Sequence, residues 1–246
     1  MRILLLDIET FPNKGYFWRT FKENIGIDQI VEPGYTACWS AKWYGNRDVY
    51  YSSLNESSEL DMVSRIHSLL AEADVVIHYN GKKFDIPTLN KEFLKLGLTP
   101  PAPFRQVDLY QTVRSNFKFA SNKLDFVCQQ LGLGTKTHHK GFDLWKGCMN
   151  NDAESWSVMK EYNINDVFLL ERLYDKLIPW IKNPPNHNLY SDISCCPSCG
   201  GVHYQKRGFT NTIRQRQRYQ CTDCGAWFQD RNGYKQREVV FNTGAN

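Results

Sequence analysis

The chain opens with Ile3, Leu4, Leu5 and Leu6, which run directly into Asp7, Ile8, Glu9 and Thr10. So short an apolar run predicts a strand buried on both faces. Period-two alternation then sets Asp7 and Glu9 side by side on one face of its far end. A Pro-containing, aromatic-rich loop, "TFPNKGYFW", follows. Next, "TACWSAKWYGNRDVYYSS" carries β-branched and aromatic residues on both sides of Gly45-Asn46, which predicts two strands around that turn. Leu60, Met62, Val63, Ile66, Leu69 and Leu70 recur at helical spacing behind a pair of serines suited to capping. "DVVIHYN" is the next buried strand, and helical patterns follow at about 86–96, 107–115, 123–131 and 153–180. A hairpin-rich set of strands, then strands alternating with helices, predicts an α/β fold: a mixed sheet flanked by helices. Residues 183–194, with two prolines nearby at 184 and 185 and no periodicity, read as a linker between a domain at 1–182 and a small module at 195–240.

Composition narrows the class. In 246 residues there is room for one large domain and a small module. No apolar run approaches the ~20 residues of a membrane span, and the N-terminus lacks the zones of a signal peptide. A cytoplasmic location, in a bacterial or phage-infected cell, and no membrane partner are therefore expected. Basic and acidic residues balance at 22 each up to residue 190, but stand at 8 against 4 beyond it, so the formal excess of +4 lies in the C-terminal segment. A basic module suggests a polyanionic partner, although four zinc-bound thiolates would cancel part of the excess.

The acids raise a chemical question. Two like charges side by side on a strand are costly unless a cation sits between them, and hard divalent ions take carboxylate oxygens. Alone, Asp7 and Glu9 read more simply as a strand that ends in a solvated acidic turn. Asp85 stands just after the "DVVIHYN" strand, at the entry to a helix led by Pro87, where it reads as an N-cap or as a further ligand. On the long helix, Tyr162 and Asp166 are four apart and share a face, and an acid on a mostly apolar face needs a partner.

Taken in order, "DIET", "NGKKFDIPTL" and "YNINDV" resemble the three exonuclease motifs of the DEDD superfamily, the RNase H-like 3′-to-5′ exonucleases that include polymerase proofreading domains. With Glu at 161 and Tyr at 162, the third motif resembles the tyrosine type, as in the proofreading domain of family-B DNA polymerases, here without a polymerase. "VDLYQTVRSNFKFASNKLDFVCQQLGL" is similar to the stretch between the second and third motifs of that branch. The whole resembles phage-type stand-alone forms with a C-terminal ribbon. The resemblance implies a 3′-to-5′ exonuclease acting on single-stranded or frayed DNA ends with two Mg²⁺ or Mn²⁺ ions. Asp7 would bridge the ions, Glu9 and Asp166 would complete the first, Asp85 would hold the second largely through water, and Tyr162 would orient the attacking water. It further implies substrate contacts from Asn80, Phe84 and Lys123. Phe84 also reads as an ordinary core aromatic, and Lys123 as a solvated surface lysine. His138 and His139 read as loop residues rather than ligands.

Cysteines carry the second motif. Of eight, Cys38, Cys128 and Cys148 are scattered, while Cys196-x-x-Cys199 and Cys221-x-x-Cys224 form two knuckles. Each has a Gly just beyond its second Cys, as the tight turn of a Cys₄ zinc site requires. Four ligands leave no open position, so the zinc is structural and supplies folding energy. Cys195 is an alternative to Cys196 with poorer spacing. Arg214, Arg216 and Arg218 alternate and would line one strand face, fitted to phosphates or simply solvated. An internal cut at flaps or junctions, and nucleic-acid binding without catalysis, remain as other functions.

Overall fold

The computed structural model describes residues 1–211 and 215–230, arranged as two compact units, Met1–Lys176 and a second beginning at Leu177. In the first unit, β1 (Ile3–Thr10) is the central strand of a five-stranded mixed sheet. Antiparallel to it lies β4 (Thr36–Trp43), itself paired with the edge strand β5 (Tyr50–Ser53); β2 (Lys14–Gly15) and β3 (Ile30–Glu32) form a separate two-stranded ribbon. On the other side β1 runs parallel to β6 (Val75–His78), and β6 parallel to β7 (Arg105–Asp108).

Among the described residues, six α-helices accompany the sheet: α1 (Glu59–Glu72), α2 (Asp85–Lys95), α3 (Leu109–Asn116), α4 (Leu124–Gln130), α5 (Phe142–Met149) and α6 (Ala153–Leu177). Leu4, Leu6 and Ile8 of β1, with Trp39, Ala41 and Trp43 of β4, pack against Met62, Val63 and Ile66 of α1 and Ile86, Leu89 and Phe93 of α2. Those are the even positions of β1. The odd ones, Leu5, Asp7 and Glu9, take the opposite face, where Cys38 of β4 meets Trp156, Met159 and Tyr162 of α6. Both faces are thus covered, which is why the strand reads as an apolar run before its acids.

Three local expectations change. The helix expected from residue 107 begins at Leu109, because residues 105–108 pair with β6 and the Asp108 side chain caps the helix by accepting the Tyr110 N–H at 3.1 Å. Helix α5 was not expected, its eight residues being too few for a clear period. The aromatic loop after β1 contributes β2, which pairs with β3 further along the chain. Around Gly45, by contrast, the turn forms as the sequence implies: its φ is +79°, and the Asn46 N–H donates to the Trp43 carbonyl at 3.0 Å.

In the second unit, β8 (Tyr204–Asn211), β9 (Gln215–Cys221) and β10 (Trp227–Gln229) form an antiparallel sheet in the order β10-β9-β8. Within the expected linker, a 3₁₀ turn at His187–Leu189 forms, and the His187 N–H donates to the Pro197 carbonyl.

One polar contact ties β4 to α6. Lys42 is 1% exposed and donates to Glu171, which also accepts the Gly45 N–H at 3.0 Å. Lys42→Ala leaves that carboxylate without its cation and should cost roughly 3 kcal/mol, or roughly 6–12 °C in melting temperature. Calorimetry of the single variant and of Lys42→Met/Glu171→Leu checks this: the double variant should recover most of the loss.

Candidate functional site

Asp7 and Glu9 lie at the C-terminal end of β1, in register with Ser40 and Cys38 of β4. Opposite them, α6 presents Tyr162, Asn163 and Asp166, one helical turn of side chains aimed at the strand. Carboxylate oxygens of Asp7, Glu9 and Asp166 all lie within 4.8 Å of one another. Asn163, fully buried, fixes the first of these: its amide donates to Asp7 Oδ2 at 2.7 Å and to the Asp7 carbonyl at 3.4 Å.

Asp85 reaches the same strand end by a different route. After β6 the chain doubles back through Asn80, at φ +67°, and Gly81, where an added Cβ would lie 2.5 Å from the buried His78 ring. Asp108 holds this turn by accepting the Asn80 N–H at 2.9 Å. Asp85 then occupies the first residue of α2 rather than its N-cap, which is Phe84, and its Oδ1 accepts the Ile8 N–H at 3.2 Å. It stands outside the tight group of three.

A lysine that the sequence reading passed over completes the cluster. Lys136 Nζ donates to Asp166 Oδ2 at 2.5 Å and to the Tyr162 phenol oxygen at 2.9 Å. Burial opposes its charge, but Asp166 and Asp7 outweigh burial and hold the ammonium above its ordinary range. A buried set of acids needs at least one cation nearby, which is the signal that could have pointed to a lysine of this loop. Tyr162 is wedged edge-on against His139, centroids 4.9 Å apart, and Trp145, at 6.2 Å.

Lys136 does not neutralise the set. Burial, with Asp166, Glu9 and Asp85 alongside, holds the Asp7 carboxyl well above the usual range. Burial pushes Glu9 up to about 8, with Asp166 and Asp85 adding to it against Lys136. Asp85 is pushed up to about 7, again chiefly by burial. Burial also raises Asp166 and, with Asp166 beside it, the Tyr162 phenol. Meanwhile Asp166 Oδ1 is buried without a hydrogen-bond partner. Three clustered carboxylates, excess negative charge and an orphaned oxygen fit a hard divalent cation.

An open cavity of about 640 Å³ borders the cluster. Asp7, Tyr162 and Lys136 line it together with Asn80, Lys123 and Tyr110. Phe84 is not among its lining residues; it is 45% exposed, which removes the core-aromatic reading.

Among the described residues the other candidate metal group is Cys196, Cys199, Cys221 and Cys224. Sulfur pairs stand 3.8 Å (Cys196–Cys224) and 3.7 Å (Cys199–Cys221) apart. A tetrahedron with Zn–S of about 2.3 Å has edges of about 3.8 Å. Cys195 lies outside the group, its N–H donating to Asn188. On β9, Arg216 is half-buried and Arg218 exposed, the latter 5.6 Å over the Trp227 ring; Arg214 lies outside the described residues.

The raised carboxyls fix a sign. A group whose folded-state pKa lies above its unfolded one contributes stability below the unfolded value and loses it as pH rises through the folded one. For Glu9 that window runs from 4.5 to about 8. In buffer free of added divalent ions, Glu9→Gln should therefore melt several degrees above wild type at pH 8 and level with it at pH 4, by calorimetry.

Comparison with known proteins bears on the fold. The DNA polymerases of Thermococcus aggregans and Thermococcus litoralis are each 32% identical to this chain, over 103 and 102 residues. Those stretches are 40% of this chain but only 5% and 6% of the polymerases, so the chain spans a small fraction of these curated relatives. The structure of the family B DNA polymerase from the hyperthermophilic archaeon Pyrobaculum calidifontis matches 72% of this chain and 24% of its own, with a TM-score of 0.54 and 20% identity, a likeness of fold. The sequence profile of the RNase H superfamily matches residues 36–178, from β4 through the helix that carries Tyr162 and Asp166, and the chain belongs to that superfamily.

Proposed function

We propose that this chain is a metal-dependent 3′-to-5′ exonuclease that hydrolyses phosphodiester bonds at single-stranded or frayed DNA ends, with a zinc ribbon assisting its grip on the strand. The observation that carries the reading is the convergence of Asp7, Glu9 and Asp166 on one point, with the orphaned Asp166 oxygen among them, at the edge of a cavity open to solvent. Membership of the RNase H superfamily and similarity to DNA polymerases support it.

Asp7, Glu9 and Asp166 would hold one Mg²⁺ or Mn²⁺, and Asp85 would help to hold a second. When bound, such ions make a nucleophile of water near neutral pH and stabilise charge on the phosphoryl and leaving oxygens. Tyr162 keeps its proton, since burial and Asp166 raise the phenol, so it orients a water by hydrogen bond and does not act as a base. Asn163 fixes the Asp7 carboxylate, and Asp108, through the Asn80 turn, fixes the start of α2. Lys136 would give up Asp166 to the metal and turn its ammonium toward a phosphate oxygen. Asn80 and Lys123, on the cavity wall, would face the terminal nucleotides, with Phe84 at the entry to α2 available for stacking.

In the ribbon, Arg218, Arg216 and Arg214 would neutralise phosphates, and one zinc ion on the four cysteines would hold the sheet that carries them.

On 5′-labelled single-stranded DNA with Mn²⁺, the chain should produce a ladder shortening from the 3′ end and leave a circular strand intact. EDTA or Asp7→Ala should reduce the rate by at least ~10³-fold, the loss of electrostatic stabilisation worth several kcal/mol. Cutting of the circle would instead indicate an endonuclease, and binding without release under any divalent ion a non-catalytic protein. Matched RNA and DNA strands in the same assay determine the sugar preference. Cys221→Ser should lose zinc by elemental analysis and bind DNA more weakly, while Mn²⁺ uptake at the acids persists; unchanged affinity in a zinc-free variant would contradict the ribbon's role.

A further inference from the structure

Between β1 and β4, the β2–β3 ribbon and its loop distribute polar and apolar side chains the wrong way round. The ribbon is closed by a Lys14–Glu32 ion pair at 2.7 Å. Inside the loop the polar groups turn inward. Glu23 accepts the backbone N–H groups of Trp18, at 3.1 Å, and of Arg19. Gln29 accepts the Gly26 N–H at 2.7 Å and donates to the Tyr16 carbonyl at 2.9 Å. The large apolar groups turn outward: Tyr16 is 79% exposed, Phe17 55%, Trp18 93% and Phe21 75%. Clustered exposure of this kind marks a surface that binds something.

Charge indicates what. From Tyr16 to Lys22 the only charged side chains are Arg19 and Lys22, and Lys22 Nζ lies 5.3 Å over the Phe21 ring. Four aromatic faces interleaved with two cations, the adjoining Glu23 carboxylate being turned in onto the Trp18 and Arg19 N–H groups, match the alternation of bases and phosphates along a single strand. Position agrees. Thr10 and Pro12, which lead into the ribbon, share a cavity of about 290 Å³ with His139 and Trp145, the two rings that wedge Tyr162. The surface is therefore continuous in the chain with the strand that carries Asp7 and Glu9, and its base adjoins the Tyr162 side of the cluster.

We propose that residues 14–32 form a stacking platform for single-stranded nucleic acid, holding the unpaired strand on its way to the acid cluster. The assignment rests on the exonuclease reading for the direction of that strand, and on its own geometry for the binding. The platform would set how long a single strand must be before it is bound well, independently of the chemistry at its end.

The test is fluorescence anisotropy of the full chain with a labelled oligothymidylate of about 15 nucleotides, without added divalent ions, comparing wild type with Trp18→Ala/Phe21→Ala. These side chains are exposed, so the melting temperature should not change. Affinity for the long strand should fall roughly 10- to 100-fold. Mn²⁺-dependent hydrolysis of a trinucleotide, too short to span both regions, should be the same in variant and wild type. Arg19→Ala/Lys22→Ala should weaken binding of the long strand and reduce its salt dependence. A wild type that binds the strand but hydrolyses nothing would defeat the exonuclease reading, while the anisotropy difference would still support the platform. Equal affinity of the aromatic variant for the long strand overturns the proposal, as does a wild-type dimer in sedimentation that this variant abolishes with strand affinity unchanged.

Discussion

Buried and half-buried carboxylates crowded together repel each other, and the first unit is built around a place where they cannot move apart. Asp7 and Glu9 are locked by strand register, Asp166 by a long helix packed on that strand, and Asp85 by a hydrogen bond from the strand's own backbone. Protonation or a bound cation relieves the repulsion. Lys136 supplies one charge to a group of four acids, yet burial, with Asp166 and Asp85 adding to it, still holds Glu9 up at about 8. A divalent cation is what the remaining imbalance calls for.

The fold supplies the rigidity that this arrangement needs. Even residues of β1 anchor in the core against α1 and α2, which leaves the odd ones no choice but to face α6. A one-residue slip would exchange the acids for leucines and isoleucine. Similarly, the steric demand at Gly81, whose missing Cβ makes room for His78, turns the chain sharply enough to bring the start of α2 back to β1. The strand thus delivers two acids, and the turn and the long helix one each, with a hydrogen bond or a packed face keeping each in place.

How much of this could be read beforehand follows from the range of the interactions. The acids could be named from the chain because period two in a strand and i,i+4 in a helix are local rules that put side chains on faces, and the cysteine knuckles because their spacing and glycines are local too. What brings the faces together is not local. Lys136 sits in a polar loop whose sequence has no period, and its partners are 26 and 30 residues away. Asn163 lies beside the motif tyrosine but has meaning only once β1 is opposite it. Helix α5 is too short to show an amphipathic repeat, and β7 was absorbed into the helix that follows because Asp108 serves both as strand end and as cap. The aromatic segment after β1 was legible as a loop, but the outward turn of its rings depends on Glu23 and Gln29 folding inward.

The central claim, that the acids are held together for a divalent cation, is tested most directly by titrating Mn²⁺ into the zinc-loaded protein in a calorimeter at pH 7.5, in two buffers of different ionisation enthalpy. Carboxyls kept protonated by burial must lose their protons to bind a metal, so Mn²⁺ uptake should be accompanied by proton release, and both should diminish in Asp7→Asn. A protein that takes up no Mn²⁺, or takes it up equally well without the Asp7 carboxylate, would contradict the account.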